Sequence, residues 1–463
     1  MRRFGPSVLL IAAYAVLLLA AVLAIPLRID EILQIMGGWH HSLSTLVAWI
    51  AQTPASAPLN YFIQWPFIEA GGHSRLAARL PSLLFALASC YVFLRLVKLI
   101  PLRQCYPALL LFMLLPVQYQ FATRGRPLEQ ALFLLLLATI CYFRLLRAPD
   151  FRSAALYAGL LLLCLYTDRS SYLPAIGYLL FLLRFVNTAH ERRVIWFALP
   201  ATIVPVLLFL PYYFWAHPQV NPNWLLAPTP YPPALPVYLQ TLFSVALGGW
   251  NGYIVAGLLA AGTLGGAWYS FRPDAGAVSR RIPLFCLFGG VVSTIAIAIA
   301  VDAWNGYPFS PNDVLWAAPG MIVLSFAVLE WLARKQAIRP LGAAAAVLLI
   351  VLCAIGDANY LRNRTEEDFP SEAAMVAPEL TGNSCVVFVS EGLSPQLFLL
   401  FDPSLEKREC LNFFHDRVVL ASHPYVRPSQ QEDAESYFRG LNFIETKRIR
   451  AGGGQIVVME QSR

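Results

Sequence analysis

Charged residues are scarce in this sequence. Asp, Glu, Lys and Arg make up 13% of its 463 residues and apolar residues make up 58%, whereas soluble globular domains carry about 25% charged residues. Soluble domains of this composition would have too few charges to cover their surfaces. The composition therefore excludes a simple cytosolic enzyme.

Several common binding motifs are missing as well. The eight cysteines form no Cys-x-x-Cys pair and no spacing typical of zinc ligands, which argues against a zinc module. The sequence has no internal repeat, and its C-terminal region has no glycine-rich nucleotide-binding fingerprint. What the sequence does contain is a series of long apolar runs.

The few charges concentrate near the C-terminus. Residues 1–356 contain 34 charged residues, whereas the 107 residues of 357–463 contain 27. We therefore predict a transmembrane domain over 1–356 and a small α/β domain over 357–463, with strands at 386–389 and 455–459 and helices at 395–401 and 430–441. The net charge of +7 then reflects membrane topology and does not indicate a nucleic-acid partner.

The apolar runs of the first domain predict an all-α polytopic bundle of about eleven spans. They lie near residues 8–26, 77–98, 105–121, 127–146, 153–168, 171–187, 194–215, 250–270, 282–301, 314–332 and 340–356. The first run also resembles a signal peptide ending at Ala24, but the nearby Pro26 favours a retained span.

Basic residues flank alternate ends of these runs. Six segments carry 17 of the basic residues of 1–356, and the opposite short loops carry six. The positive-inside rule assigns the 17 to the cytoplasm, together with the N-terminus. The short basic loops indicate a bacterial inner membrane, which makes the C-terminal domain periplasmic. The external loop 27–76 then contains an apolar stretch, 59–68, predicted to be a helix in the membrane interface.

An acidic pair, Asp30 and Glu31, follows the first predicted span by four residues. Acidic side chains near a membrane are costly, and this makes them candidates for function. Asp30 and Glu31 are therefore the strongest candidates for a functional carboxylate. The alternative is a solvated helix start that Asp30 caps.

External loops should be poor in positive charge, yet three of them keep arginines, which are Arg79, Arg124, Arg126 and Arg169. The arginine fork binds phosphate oxygens through two parallel hydrogen bonds, and a phosphate at this depth would belong to a lipid. We therefore predict that these arginines bind a lipid phosphate. The alternative is that they pair with Asp168 or with bilayer phospholipids.

A carboxylate together with phosphate-binding arginines suggests sugar transfer from a polyprenyl phosphate. Such a leaving group is already a good anion and needs no protonation, unlike the leaving group in glycoside hydrolysis. One carboxylate then suffices as the base for the acceptor hydroxyl.

The order of the short motifs resembles that of the membrane glycosyltransferases of the GT-C superfamily, in the branch of protein mannosyltransferases and aminoarabinose transferases. The resemblance covers residues 1–215 well and 216–356 loosely. Its motifs are Asp30-Glu31, Ala57-Pro58-Leu59-Asn60-Tyr61, Gly72-His73-Ser74, Arg79-Leu80-Pro81-Ser82, Arg124-Gly125-Arg126-Pro127 and Leu210-Pro211-Tyr212.

The resemblance implies an inverting transferase that uses a polyprenyl-phosphate-linked sugar on the external face, with Asp30 as the catalytic base. The acceptor stays open among glycan, lipid and protein. We also predict that Tyr61, Glu69 and Asp168 line the substrate loop, although aromatic residues collect at membrane interfaces in any case. His40 and His41 are weak candidates for a divalent metal ion, which the sequence does not require.

Two other classes of function stay open. A transporter or flippase of a lipid-linked sugar would use the arginines to guide a head group, but transporters commonly show inverted repeats, and none is seen here. A non-catalytic assembly partner would act through its external domain. That domain holds Cys385 and Cys410, which could form a disulfide in an oxidising compartment.

Overall fold

The computed structural model describes most of the chain. The described residues are 5–27, 29–38, 42–52, 58–72, 74–100, 102–186, 188–216, 250–271, 278–305, 315–334, 339–362, 369–389, 398–399, 401–410, 415–422, 426, 428–451 and 454–462. Contacts divide the chain into two compact units, Met1–Val22 with Gly37–Tyr360 and Leu23–Met36 with Leu361–Arg463. The acidic pair thus groups with the second unit, whereas the predicted division is a single boundary at 356/357.

Helices dominate the described residues up to 362, because backbone in hydrocarbon must form its hydrogen bonds internally. In chain order they are α1 (Pro6–Ala24), α2 (Ile29–Gly38), α3 (Leu43–Gln52), α4 (Leu59–Gly71), α5 (Arg75–Leu99), α6 (Cys105–Leu114), α7 (Pro116–Ala122), α8 (Leu128–Arg147), α9 (Phe151–Thr167), α10 (Leu173–Leu182), α11 (Ala189–Ala216), α12 (Trp250–Ser270), α13 (Val278–Asn305), α14 (Ala318–Ala333) and α15 (Arg339–Arg362).

Each predicted span overlaps at least one helix of the structure. Within the described residues, six helices are long and apolar enough to cross a bilayer, namely α1, α5, α8, α11, α13 and α15. The helices α9 and α14 are apolar but shorter. The protein is therefore an integral membrane protein with a helical bundle, and the count of eleven spans stays a prediction.

The predicted span at 105–121 is bent. An angle of 61° separates α6 from α7, at Leu115, which is extended (φ −65°, ψ 120°). Pro116 causes the bend because proline disfavours helical backbone at the residue before it and donates no hydrogen bond. If α6 and α7 form one span, the number of candidate spans rises to seven.

Small residues allow the helices to approach closely. The most extensive helix contacts join α10 with α13, α12 with α14, and α8 with α9 and α5. Where α10 meets α13, a Cβ on Gly177 would overlap the carbonyl oxygen of Gly289. Only glycine permits this backbone contact, as is common between helices in membranes.

The second unit contains a four-stranded mixed sheet, which confirms the predicted C-terminal α/β fold. Its strands are β1 (Ser384–Phe388), β2 (Arg417–Ser422), β3 (Phe443–Ala451) and β4 (Gly454–Gln461), and its described helices include α16 (Phe369–Val376) and α17 (Pro428–Gly440). The strand order is β1-β2-β4-β3, with β1 parallel to β2 and the other pairs antiparallel.

Both faces of β1, β2 and β4 are largely buried, whereas most of β3 is exposed. Val386, Val419 and Ile456 belong to one apolar cluster, and Val418 and Val457 belong to another. This alternation follows from the two-residue period of a strand. Strands at 386–389 and 455–459 and the helix at 430–441 are confirmed as β1, β4 and α17, while most of the predicted helix at 395–401 lies outside the described residues.

Cys385 and Cys410 form a disulfide. A cross-link of this kind typically stabilises a domain by about 2–4 kcal/mol, and it persists only in an oxidising compartment. In protein isolated from native membranes, we expect both thiols to resist alkylation until a reductant is added, as judged by peptide mass spectrometry. Alkylation before reduction would contradict both the bond and the predicted periplasmic placement of this domain.

Candidate functional site

The acidic pair lies in the first turn of α2. Helix α1 ends at Ala24 because Pro26 disfavours helical backbone at Ile25, and α2 starts at Ile29. The amino-terminal end of a helix favours negative charge. Glu31 is completely buried, with 0% of its surface exposed, whereas the side chain of Asp30 lies outside the described part of the structure.

The helix predicted at 59–68 forms as α4 and is fastened to α5. Gln64 donates a hydrogen bond from Nε2 to the carbonyl oxygen of Ala78 at 2.9 Å. Tyr61 is buried, and its ring meets that of Trp49 edge to face with 5.2 Å between centroids. Glu69 is exposed. Of the two substrate-loop candidates on this helix, only Glu69 therefore offers its side chain to the surroundings.

The loop between α7 and α8 lies directly on the first turns of α5. The hydroxyl of Ser82 donates to the carbonyl oxygen of Arg126 at 3.0 Å. A Cβ on Gly125 would lie 2.7 Å from the carbonyl oxygen of Ala78 and 3.5 Å from Nε2 of Gln64. Glycine is needed because no side chain fits at this approach.

We expect Gly125→Ala to destabilise the protein by about 1–3 kcal/mol, the usual cost of forcing an extra group into a packed site. The added Cβ would meet backbone, which cannot rotate away as a side chain can. Thermal unfolding in detergent measures the effect. Gly159→Ala is the matched control because a Cβ there meets nothing within 4 Å, and an equal response of both variants would contradict the close packing of the loop.

Three of the four predicted phosphate-binding arginines lie on these adjoining segments. Arg79 is completely buried and donates from Nη1 to the carbonyl oxygen of Val22 at 3.0 Å. Arg126 is half-buried. Arg124 is also half-buried, with its guanidinium carbon 5.7 Å from the centroid of the Phe121 ring.

The side chain of Arg124 contains a buried hydrogen-bond donor that lacks an acceptor among the described residues. This donor is the Nε of its guanidinium. A buried donor without an acceptor costs about 1–3 kcal/mol, and more when the group is charged. Of the four predicted phosphate-binding arginines, Arg124 therefore has a buried donor that an anion could satisfy.

Asp168 and Arg169 follow α9 in a short 3-10 turn, Arg169–Tyr172. The carboxylate of Asp168 accepts hydrogen bonds from the backbone N–H of Ser170 at 2.9 Å and from its hydroxyl at 2.5 Å. These bonds give Asp168 a local structural role. Arg169 is exposed.

The structure also reveals a buried polar cluster that sequence reasoning did not assemble. Gln118 donates to one oxygen of Glu129 at 2.9 Å, and neither carboxylate oxygen of Asp357 has a hydrogen-bond partner among the described residues. Tyr14 interacts electrostatically with both acids. Acidic residues inside apolar runs are themselves a signal of function, but only the fold shows that α1, α8 and α15 bring these side chains together.

No group of three or more His, Cys, Asp or Glu side chains suited to a metal ion occurs among the residues that the structure describes. The weak metal candidates His40 and His41 lie outside those residues. A divalent cation at this loop therefore stays a prediction.

Known structures share this fold. ArnT from Cupriavidus metallidurans in the apo state matches with a TM-score of 0.56 and 11% identity, over 97% of each chain. The same protein bound to undecaprenyl phosphate matches with a TM-score of 0.53 and 12% identity, again over 97% of each chain. No protein-family profile and no curated protein sequence matches the chain. The likeness shows that the chain shares the fold of ArnT, in line with the fold that the resemblance implies.

Proposed function

We propose that this protein transfers a sugar from a polyprenyl-phosphate donor to an acceptor hydroxyl on the external face of the membrane, with inversion at the anomeric carbon. The main support is the fold, which the chain shares along nearly its whole length with a protein crystallised with undecaprenyl phosphate. Further support comes from the arginines on α5 and on the loop between α7 and α8, which would bind the donor phosphate.

Asp30 is the proposed base. It accepts the proton of the acceptor hydroxyl while the hydroxyl oxygen forms a bond to the anomeric carbon. The bond from that carbon to the phosphate oxygen breaks, and its electron pair stays on the polyprenyl phosphate. Because this leaving group is a stable anion, the reaction needs no second carboxyl group as an acid, in contrast to glycoside hydrolysis.

Arg124 and Arg126 are the proposed phosphate ligands. The buried Nε of Arg124 would gain an acceptor, and a charge-assisted bond of this kind is stronger than a neutral one. Fixed donors aimed at the oxygen where charge develops also lower the barrier of the transfer step. Donor binding and catalysis would thus share the same guanidinium groups.

The other candidates take supporting roles in the proposal. Arg79 is buried and bonded to Val22, so it would hold the last turns of α1 in place. Asp168 shapes the turn that presents Arg169, which would reach the phosphate from the loop after α9. The exposed Glu69 would accept hydrogen bonds from sugar hydroxyls near Tyr61.

A conversion assay tests the proposed function and separates it from transport. The purified protein is incubated in detergent with lipids extracted from the producing cells, and polyprenyl phosphates are followed by liquid chromatography and mass spectrometry. A transferase releases free polyprenyl phosphate from its glycosylated form, with an acceptor gaining the sugar mass. Unchanged glycosylated donor in every extract would contradict transfer and favour a transporter or a non-catalytic partner.

A further inference from the structure

A cavity of about 420 Å³ lies near the carboxyl-terminal end of α8. Since α8 has 20 residues, this end is about 30 Å along the helix from the loop that carries Arg124. Side chains from α8, α10, α11 and α13 form its apolar wall, which comprises Phe143, Leu146, Leu182, Val194, Ile282 and Pro283. The volume falls within the usual range for a small-molecule site.

Two exposed basic side chains stand beside the apolar wall. Arg147 donates from Nη2 to the carbonyl oxygen of Leu99 at 2.7 Å, and His190 donates from Nε2 to the carbonyl oxygen of Leu146 at 3.0 Å. Both acceptors belong to the last turns of helices, where carbonyl groups lack partners within the helix. A guanidinium carries five N–H donors, so the bond to Leu99 holds Arg147 in place and leaves donors for a ligand.

The one acidic side chain that lines the cavity already accepts a hydrogen bond within the protein. Glu191 accepts a hydrogen bond from the N–H of Thr188 at 2.8 Å, and the N–H of Glu191 donates to the Thr188 hydroxyl at 3.2 Å. This reciprocal capping box fixes the start of α11. It also sets the direction in which His190, in the first turn, faces the cavity.

Positive charge prevails around the cavity. The helix ends that meet there carry several arginines besides Arg147, namely Arg144, Arg184, Arg192, Arg193 and Arg281. They belong to the segments that the sequence assigns to the cytoplasmic side. An apolar wall beside basic side chains at this side of a bundle is the arrangement that binds anionic lipid head groups.

We infer that this cavity binds an anionic phospholipid, whose phosphate contacts Arg147 and His190 and whose acyl chain lies against Leu182 and Val194. The basic side chains favour an anionic lipid over a zwitterionic one because their positive charge complements its net negative charge. This site is separate from the proposed donor site in residues and in position along α8. Its occupant would be a lipid of the surrounding bilayer.

Native mass spectrometry of the full-length protein in a neutral detergent tests the inference. Phosphatidylglycerol and phosphatidylcholine are titrated in parallel, and bound lipid is counted. We expect a preference for phosphatidylglycerol that falls about tenfold or more in the double variant Arg147→Gln/His190→Gln, as for lost hydrogen bonds to charged groups. Arg152→Gln removes an exposed arginine of the same predicted side that does not line the cavity, and it should leave the preference unchanged.

A second variant tests the apolar wall. Leu182→Trp fills the cavity without changing a charge, and it should also reduce phosphatidylglycerol binding, provided that thermal unfolding shows a folded protein. Equal binding of the two phospholipids by the wild type would overturn the inference. An equal loss of binding in Arg152→Gln would also overturn the inference, because it would indicate an effect of general surface charge. A greater loss of undecaprenyl phosphate binding than of phosphatidylglycerol binding in the double variant would overturn it as well, because it would make the cavity a polyprenyl site.

Discussion

Asp30→Asn is expected to abolish sugar transfer while donor binding persists. Asparagine has nearly the shape of aspartate and suits the first turn of a helix, but it cannot accept the proton of the acceptor hydroxyl. A general base contributes about 10²- to 10⁴-fold to a rate, so transfer should fall by at least that lower factor. The rate is measured as release of free polyprenyl phosphate, and donor binding is measured by native mass spectrometry.

The matched control is Asp150→Asn. Asp150 caps α9 through a bond from the Ser153 N–H at 3.0 Å, and asparagine caps a helix nearly as well as aspartate. This variant should therefore keep full activity. If Asp30→Asn also kept full activity, Asp30 would not be the base, and loss of donor binding in that variant would assign Asp30 to binding instead.

Arg124→Gln should weaken binding of undecaprenyl phosphate by about 1.5–3 kcal/mol, the range for a hydrogen bond to a charged group. This corresponds to a change of about 10- to 150-fold in the dissociation constant. Arg124→Lys should recover only part of the affinity, because lysine keeps the charge but loses the planar fork. The affinity is measured by titrating the lipid into detergent-solubilised protein.

Two further results make the arginine experiment decisive. Arg95→Gln removes an exposed arginine of α5 that lies far along the helix from the loop, and it should bind the lipid as the wild type does. Undecaprenol, which lacks the phosphate, should bind weakly to the wild type and equally weakly to Arg124→Gln. An unchanged affinity in Arg124→Gln would remove this residue from the phosphate site.

Much of the helical bundle could be predicted because apolar run length reports directly on the hydrocarbon that a helix must cross. The run at 77–98 became Arg75–Leu99, and the run at 127–146 became Leu128–Arg147. The bend within 105–121 was missed, although Pro116 is a local signal for it. Hydropathy averages over a window and therefore cannot detect a change of direction.

The external loop 27–76 was predicted with one helix, and the structure adds α2 and α3 within it. Their apolar residues are spaced on one side of short helices, a weaker signal than a continuous run. The structure starts α2 at Ile29, so the backbone of Asp30 lies in its first turn.

Only part of the candidate site could be predicted from the sequence. External arginines stood out because topology disfavours positive charge there, but nothing local showed that Gly125 fits against Ala78 or that Arg79 is buried against Val22. Both facts arise from packing between segments distant in sequence. The structural role of Asp168 could be predicted from the sequence, since an aspartate two residues before a serine is typical of a local side-chain turn.

The lipid that the protein retains on purification tests the central claim most directly. Wild-type protein is extracted from its native membrane in a mild detergent, and the bound lipid is released and identified by mass spectrometry. The account predicts a polyprenyl monophosphate, free or glycosylated, that is depleted in Arg124→Gln. Recovery of bilayer phospholipid alone, together with failure of added undecaprenyl phosphate to bind, would contradict it.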